Sequence, residues 1–143
     1  MSNTTTMREE RFMKAKLPLI ARLALGLIFA LFGLNGLMMI MTGSGFIPMP
    51  PPAPEFGEAM GGLFKLGYLM PLVKVLEIIG GVLLLIGIYK RLALIILIPI
   101  IVNIVGVHLV LDPSGLPIGI LTTVLAAYLV SVEWKGFSQL LVK

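Results

Sequence analysis

Residues 68–111 read YLMPLVKVLEIIGGVLLLIGIYKRLALIILIPIIVNIVGVHLVL, and this stretch decides the fold. It holds two apolar runs, residues 68–89 and 92–111, separated only by Lys90 and Arg91. A helix needs roughly 20 apolar residues to cross a bilayer core, and both runs reach that length. Inside the first run stand Lys74 and Glu77. Ionisable groups are expensive at membrane depth, so this pair is the first candidate for a function.

Working outward, residues 17–41 and 116–132 are two further apolar runs, the second followed by Trp134 as an interfacial anchor. Tyr68 and Tyr89 anchor the run that holds Glu77 in the same way. The chain has 143 residues, 58% hydrophobic and 13% charged, where soluble domains carry about 25% charged residues. With a mean hydropathy of +1.06, these values predict an all-α integral membrane protein, a four-helix transmembrane bundle of one domain. The four-span domain is expected over residues 17–134, with tails at 1–16 and 135–143. Small residues at Gly26, Ala30, Gly33, Gly80, Gly81, Ala126 and Ala127 are suited to close helix packing in lipid.

The basic residues set the expected orientation. Arg8, Arg11, Lys14 and Lys16 precede the first span, Lys90 and Arg91 form the second connection, and Lys135 and Lys143 follow the fourth span. The other side has Lys65 with Glu55, Glu58 and Asp112. The positive-inside rule therefore places both termini in the cytoplasm. The N-terminal segment superficially resembles a signal peptide, but the run after it exceeds an h-region of roughly 7–15 residues and lacks an A-x-A site, so a retained helix is expected. The net charge of +4 reads as lipid contact and topology, not nucleic acid, because the basic residues flank apolar runs instead of alternating with aromatics.

The chain contains no cysteine, which excludes a disulfide framework, thiol relays, thiolate zinc sites and ordinary iron–sulfur ligation. His108 is the one histidine, so bis-histidine haem ligation within one chain is also excluded. No metal site and no intrinsic cofactor are expected.

The long first outer connection, TGSGFIPMPPPAPEFGEAMGGLFKLG, is extended through its prolines from Pro48 to Pro54. Beyond them Phe56, Met60, Leu63 and Phe64 share a helical face, which predicts a short amphipathic helix at the membrane surface. It is read as a spacer with an interfacial foot in preference to a substrate lid. The DPSG turn ends the third span at Asp112.

Depth brings the polar residues together. At a rise of roughly 1.5 Å per residue, Lys74 lies about 9 Å and Glu77 about 13 Å below the outer end of their span. On the same basis Asn35 is about 9 Å deep, Asn103 about 12 Å and His108 about 5 Å. Three spans thus contribute polar side chains to the outer half of the bundle. Lys74 and Glu77, three apart, can pair directly. A paired Glu77 is a fixed dipole or a ligand for a cation, and a neutral one is a hydrogen-bond donor or a proton relay. Each residue also has a plainer reading: Glu77, Asn35 and Asn103 as interhelical glue, Lys74 as a snorkelling side chain, and His108 as a wetted interfacial residue. His108 and Asp112, four apart, can pair so that the carboxylate orients the imidazole, or Asp112 can simply cap the turn. Arg22 reads as an anchor that snorkels to phosphate.

The segments RLALGLIFALFGLNGL, GYLMPLVKVLEIIGGVLLLIG and LIPIIVNIVGVHLVLDPSGLP, in this order around a proline-rich loop, resemble the DoxX family of small bacterial membrane proteins. Glu77 before Gly80 and Gly81 matches the family's Glu before paired glycines, and Asn103 and His108 match its Asn and His in the third span. The resemblance implies a four-helix subunit of the bacterial inner membrane, with one related branch linked to thiosulfate:quinone oxidoreductase. Because the chain has no cysteine, sulfur chemistry would have to come from a partner chain.

Three functions are therefore expected in order. The first is an accessory subunit of a quinone-linked redox complex, non-catalytic by itself, with a polar pocket of Glu77, Lys74, His108, Asn103, Asn35 and Asp112 in the outer leaflet. The second is a binding or transport protein for a small lipophilic or cationic molecule, and the third is a structural scaffold. The expected partners are the lipid bilayer, a quinone or other lipophilic molecule, and a redox partner protein or further copies of the chain.

Overall fold

The computed structural model describes residues 2–140 and contains, among them, helices and no strand. The helices are α1 (Ser2–Thr42), α2 (Pro54–Phe64), α3 (Leu69–Ile86), α4 (Lys90–Val110), α5 (Leu116–Val132) and α6 (Trp134–Leu140). Helices α1, α3, α4 and the segment Pro113–Val132 are long and apolar enough to cross a membrane. Only 22–28% of the most apolar window of each is buried inside the protein. The remaining surface displays side chains such as Leu27, Leu31, Ile79, Val102 and Val124, which water would not solvate favourably. The chain is therefore a multi-pass membrane protein whose helices meet lipid on most of their circumference.

The helices run alternately up and down. α1 packs most extensively on α3, α3 on α4, α4 on α5, and α5 returns to α1, closing a ring. Leu25 and Phe29 of α1, Leu84 of α3, Leu94, Leu97 and Ile101 of α4, and Ala126 and Leu129 of α5 form the core. Their three- and four-residue spacings put them on a single stripe of each helix. The α1–α3 contact is backbone on backbone: a Cβ at Gly81 would stand 2.5 Å from the amide nitrogen of Ala30 and 2.8 Å from the carbonyl oxygen of Gly26. Without a hydrophobic drive between helices in lipid, close approach of this kind supplies the dispersion contacts that hold a bundle together.

Two ends can be distinguished. The loop end carries the connection from α1 to α3 and the turn from α4 to α5; the terminal end carries the α3–α4 connection and both termini. At the terminal end α3 stops at Gly87, which has φ 80° and returns its N–H to Leu83 O at 3.0 Å. Tyr89 is also left-handed, with φ 47°, and α4 begins at the next residue. Two positive-φ residues within three positions reverse the chain in minimal length.

The expected tail at 1–16 is helical from Ser2 onward and continuous with the first span. At roughly 1.5 Å per residue this 41-residue helix is about 60 Å long, well beyond a bilayer core. The expected tail from 135 begins as α6, whose Gly136 is buried beneath the Arg91 guanidinium. Lys143 and the side chain of Arg8, both used to assign orientation, lie outside the described residues.

The amphipathic helix expected in the long loop is α2, with Pro54 in its first turn and Phe56, Met60 and Leu63 half-buried. Phe64, expected on the same face, is exposed instead, because the helix ends there and the chain turns towards α3.

Candidate functional site

At the loop end, α3 turns Lys74 and Glu77 towards α1. Glu77 is 3% exposed, and Lys74 Nζ donates to both of its carboxylate oxygens at 2.9 Å. The three-residue spacing expected to permit pairing does so. What makes room for the pair is on α1. The aliphatic chain of Lys74 crosses Gly36, where an added Cβ would come within 2.6 Å of its Cδ, and the Glu77 Cβ packs on Gly33. Lys74, Glu77 and Gly81 form one stripe of α3 that fits the small-residue stripe of α1. The carboxylate is enclosed, whereas the Lys74 side chain keeps 21% of its surface. An ion pair of this form holds a fixed dipole inside the bundle, with the Lys74 side chain at its accessible edge.

The other expected site residues are distributed around the pair. Asn35 is buried on α1, but its Oδ1 accepts from the backbone N–H of Ile47 at 2.7 Å, so it fastens the start of the long loop. Asn103 does not turn towards Glu77. It is exposed, and its Nδ2 donates to Pro99 O at 2.9 Å on its own helix. α4 faces the core through Leu97 and Ile101, and two residues beyond Ile101 is about 200° further round the helix. Equal depth therefore did not bring Asn103 to the pair, because its helical phase points it away.

His108 lies under α2 rather than beside Glu77. Its ring stacks on Phe56, with centroids 5.3 Å apart and planes 18° from parallel, and its other face covers Gly115. Its Nδ1 meets the backbone carbonyl oxygen of Asp112 at 2.8 Å, so the expected His–carboxylate pair is not formed. The Asp112 carboxylate accepts from Ser114 N at 3.1 Å and caps the short 3-10 turn Pro113–Gly115. The geometric reason is local: an aspartate before proline bonds its own chain two residues on and is then turned away from the preceding helix. The Ser114 hydrogen bonds hold the Asp112 carboxyl below its usual range, with a smaller contribution from the Ala53 N–H at the start of α2. His108 and Asp112 thus clamp α2 to the α4–α5 turn.

A second polar cluster, at the terminal end, was not expected. Arg22 does not reach outward: its Nη1 donates to Leu84 O at 2.6 Å and Leu85 O at 3.3 Å, satisfying carbonyls at the C-terminus of α3. Beside it, Lys90 pairs with one oxygen of Glu133 and Arg91 Nε with the other at 3.3 Å. The Lys90 hydrogen bond is the main reason that the Glu133 carboxyl lies below its usual value. Arg22, Lys90 and Glu133 border a cleft of about 270 Å³ between α1, α3, α4 and α5, with aliphatic walls. The sequence signal was Glu133 directly after the last span, which topology places at the same end as Lys90 and Arg91.

The DoxX family model matches residues 17–111, from the start of the first span to the end of α4. No curated protein and no solved structure matches the chain.

Proposed function

Since the chain belongs to the DoxX family, we propose that it is an accessory membrane subunit of a quinone-linked redox complex. The observation that carries this reading is the Lys74–Glu77 pair, with an enclosed Glu77 and a partly exposed Lys74 side chain at the loop end. A quinone binds in an apolar setting through one or two polar groups at its carbonyl oxygens. Lys74 has the donor for such an oxygen, and Glu77 holds that donor in place and can accept or return a proton. The chain offers neither cysteine ligands nor two histidines, so its contribution is binding and proton handling, with electrons delivered by a partner.

The test is retention of a photoreactive ubiquinone analogue by the full-length protein in nanodiscs. Glu77→Gln, with unchanged helicity, is expected to label roughly tenfold less than the wild type, in keeping with loss of a hydrogen bond to a charged group. Equal labelling of the two proteins refutes the quinone reading.

A subunit also needs a partner face, and Asn103 favours one on α4. An amide at membrane depth, bonded only to its own helix among the described residues, gains by pairing across helices. An amide is both donor and acceptor and can pair with itself, which makes a second copy of the chain the natural occupant. Asn103→Leu is expected to shift the protein from dimer to monomer in mild detergent, read by light scattering with the detergent contribution subtracted. A dimer that persists unchanged places the interface elsewhere.

A further inference from the structure

The terminal-end cleft lies far from Lys74 and Glu77, and the proposed redox role does not use it. Its polar groups have an uneven arrangement. Glu133 has both oxygens engaged, one by Lys90 and one by Arg91. Arg22 directs Nη1 at the α3 carbonyls, and its Nε and Nη2 carry no hydrogen bond among the described residues. The lining cations Arg22 and Lys90 outnumber the carboxylate of Glu133 by one, and Arg91, outside the lining, adds a further positive charge next to Glu133. Below this charged rim the cleft is walled by Leu19, Leu94 and Val132. Lys90, Arg91 and Glu133 stand at the ends of apolar spans, with Arg22 about one and a half turns inside the apolar run of α1.

We infer that this cleft binds the headgroup of an anionic phospholipid, with its phosphodiester on Arg22 and Lys90 and its glycerol and first acyl carbons against Leu19, Leu94 and Val132. Basic pockets between transmembrane helices recognise anionic headgroups in this manner. A guanidinium with free Nε and Nη2 presents two parallel donors, which match two phosphate oxygens. The volume of about 270 Å³ fits a headgroup and not a whole lipid, so the acyl chains lie along the outside of α1 and α5. The engaged state of Glu133 sets the selectivity. A zwitterionic headgroup finds no free carboxylate for its ammonium, so the anionic lipid is preferred. Free phosphate shares the ion contacts but gains nothing from the aliphatic walls.

The experiment uses the full chain in nanodiscs of equal phosphatidylglycerol and phosphatidylethanolamine, released into native mass spectrometry. The wild type is expected to retain phosphatidylglycerol at roughly tenfold or greater excess over phosphatidylethanolamine. Arg22→Lys removes the forked donors and keeps the charge, and Leu19→Trp fills the cleft without touching a polar group. Both are expected to lose that excess. Circular dichroism and thermal melting confirm that each variant is folded; because Arg22 also caps α3, Leu19→Trp is the deciding variant if Arg22→Lys fails to fold. Equal retention of the two lipids by the wild type, or an excess unaffected in folded Leu19→Trp, overturns the assignment. Displacement of the retained lipid by millimolar inorganic phosphate alone overturns the lipid and identifies free phosphate as the ligand.

Discussion

A buried ion pair has a different energetic meaning from a surface one, and Lys74–Glu77 illustrates the difference. Removing one partner strands a charge in a low-dielectric site, with a penalty of roughly 3–5 kcal/mol, whereas replacing both with apolar residues of similar volume is often close to neutral. Glu77→Leu alone is therefore expected to destabilise the bundle strongly. The double replacement Lys74→Met with Glu77→Leu is expected to recover most of the loss in a denaturation cycle. A double variant as unstable as the single one shows that the pair is needed for folding, which favours the scaffold reading of the site. The possibility of the pair was legible in the sequence, since three-residue spacing puts both side chains on one helical face. Its surroundings were not legible: Gly33 and Gly36 make room for it, and which face of α1 meets α3 is a tertiary choice.

At the scale of elements, α2 and the α4–α5 turn act together. α2 is amphipathic by sequence, and the surface it lies on is supplied by the stack of Phe56 on His108 and by the proximity of the Ala53 N–H to Asp112. Phe56→Ala removes an aromatic stack worth about 1 kcal/mol beyond its buried area. Amide hydrogen exchange across residues 54–64 is expected to speed up several-fold in that variant, while the amides of α3 and α4 remain protected. Uniform exchange in both proteins shows that the helix is held by membrane contact instead. The same scale explains why Asn103 and His108 fell away from Glu77. Depth along a span follows from counting residues, but direction depends on which stripe of α4 the core recruits. Asn103 lies off the inward stripe that Leu97 and Ile101 define, whereas His108, in phase with that stripe but nearer the end of the helix, is taken up by Phe56 and the Asp112 carbonyl.

At the scale of the whole molecule, the terminal-end cluster ties the first residues of α4 to the end of α5. Glu133 carries a carboxyl held below its usual value of 4.5 by Lys90. A carboxyl with a depressed folded pKa contributes stability that is complete above the unfolded value and lost as pH falls through the folded one. The melting temperature is therefore expected to be level from neutral pH to about pH 5 and to fall below it. Glu133→Gln should melt lower at neutral pH and show a smaller acid drop. An identical acid profile in the two proteins would remove this tie from the account of stability.

By itself the sequence determined the four spans, their breaks and the presence of α2, and it put Lys74 and Glu77 within reach of each other. Each of these depends on a local quantity: the length of an apolar run, the backbone of proline and glycine, or the spacing of two residues on one helix. Only the tertiary structure decided that Arg22 caps α3, that His108 supports α2, that Asn103 faces outward, and that Arg22, Lys90 and Glu133 surround one cleft. These depend on the rotation of each helix about its own axis and, for His108, on where the long loop is laid over the end of α4. That rotation is set by contacts between stripes distant in sequence, above all the backbone approach of Gly81 to Gly26 and Ala30.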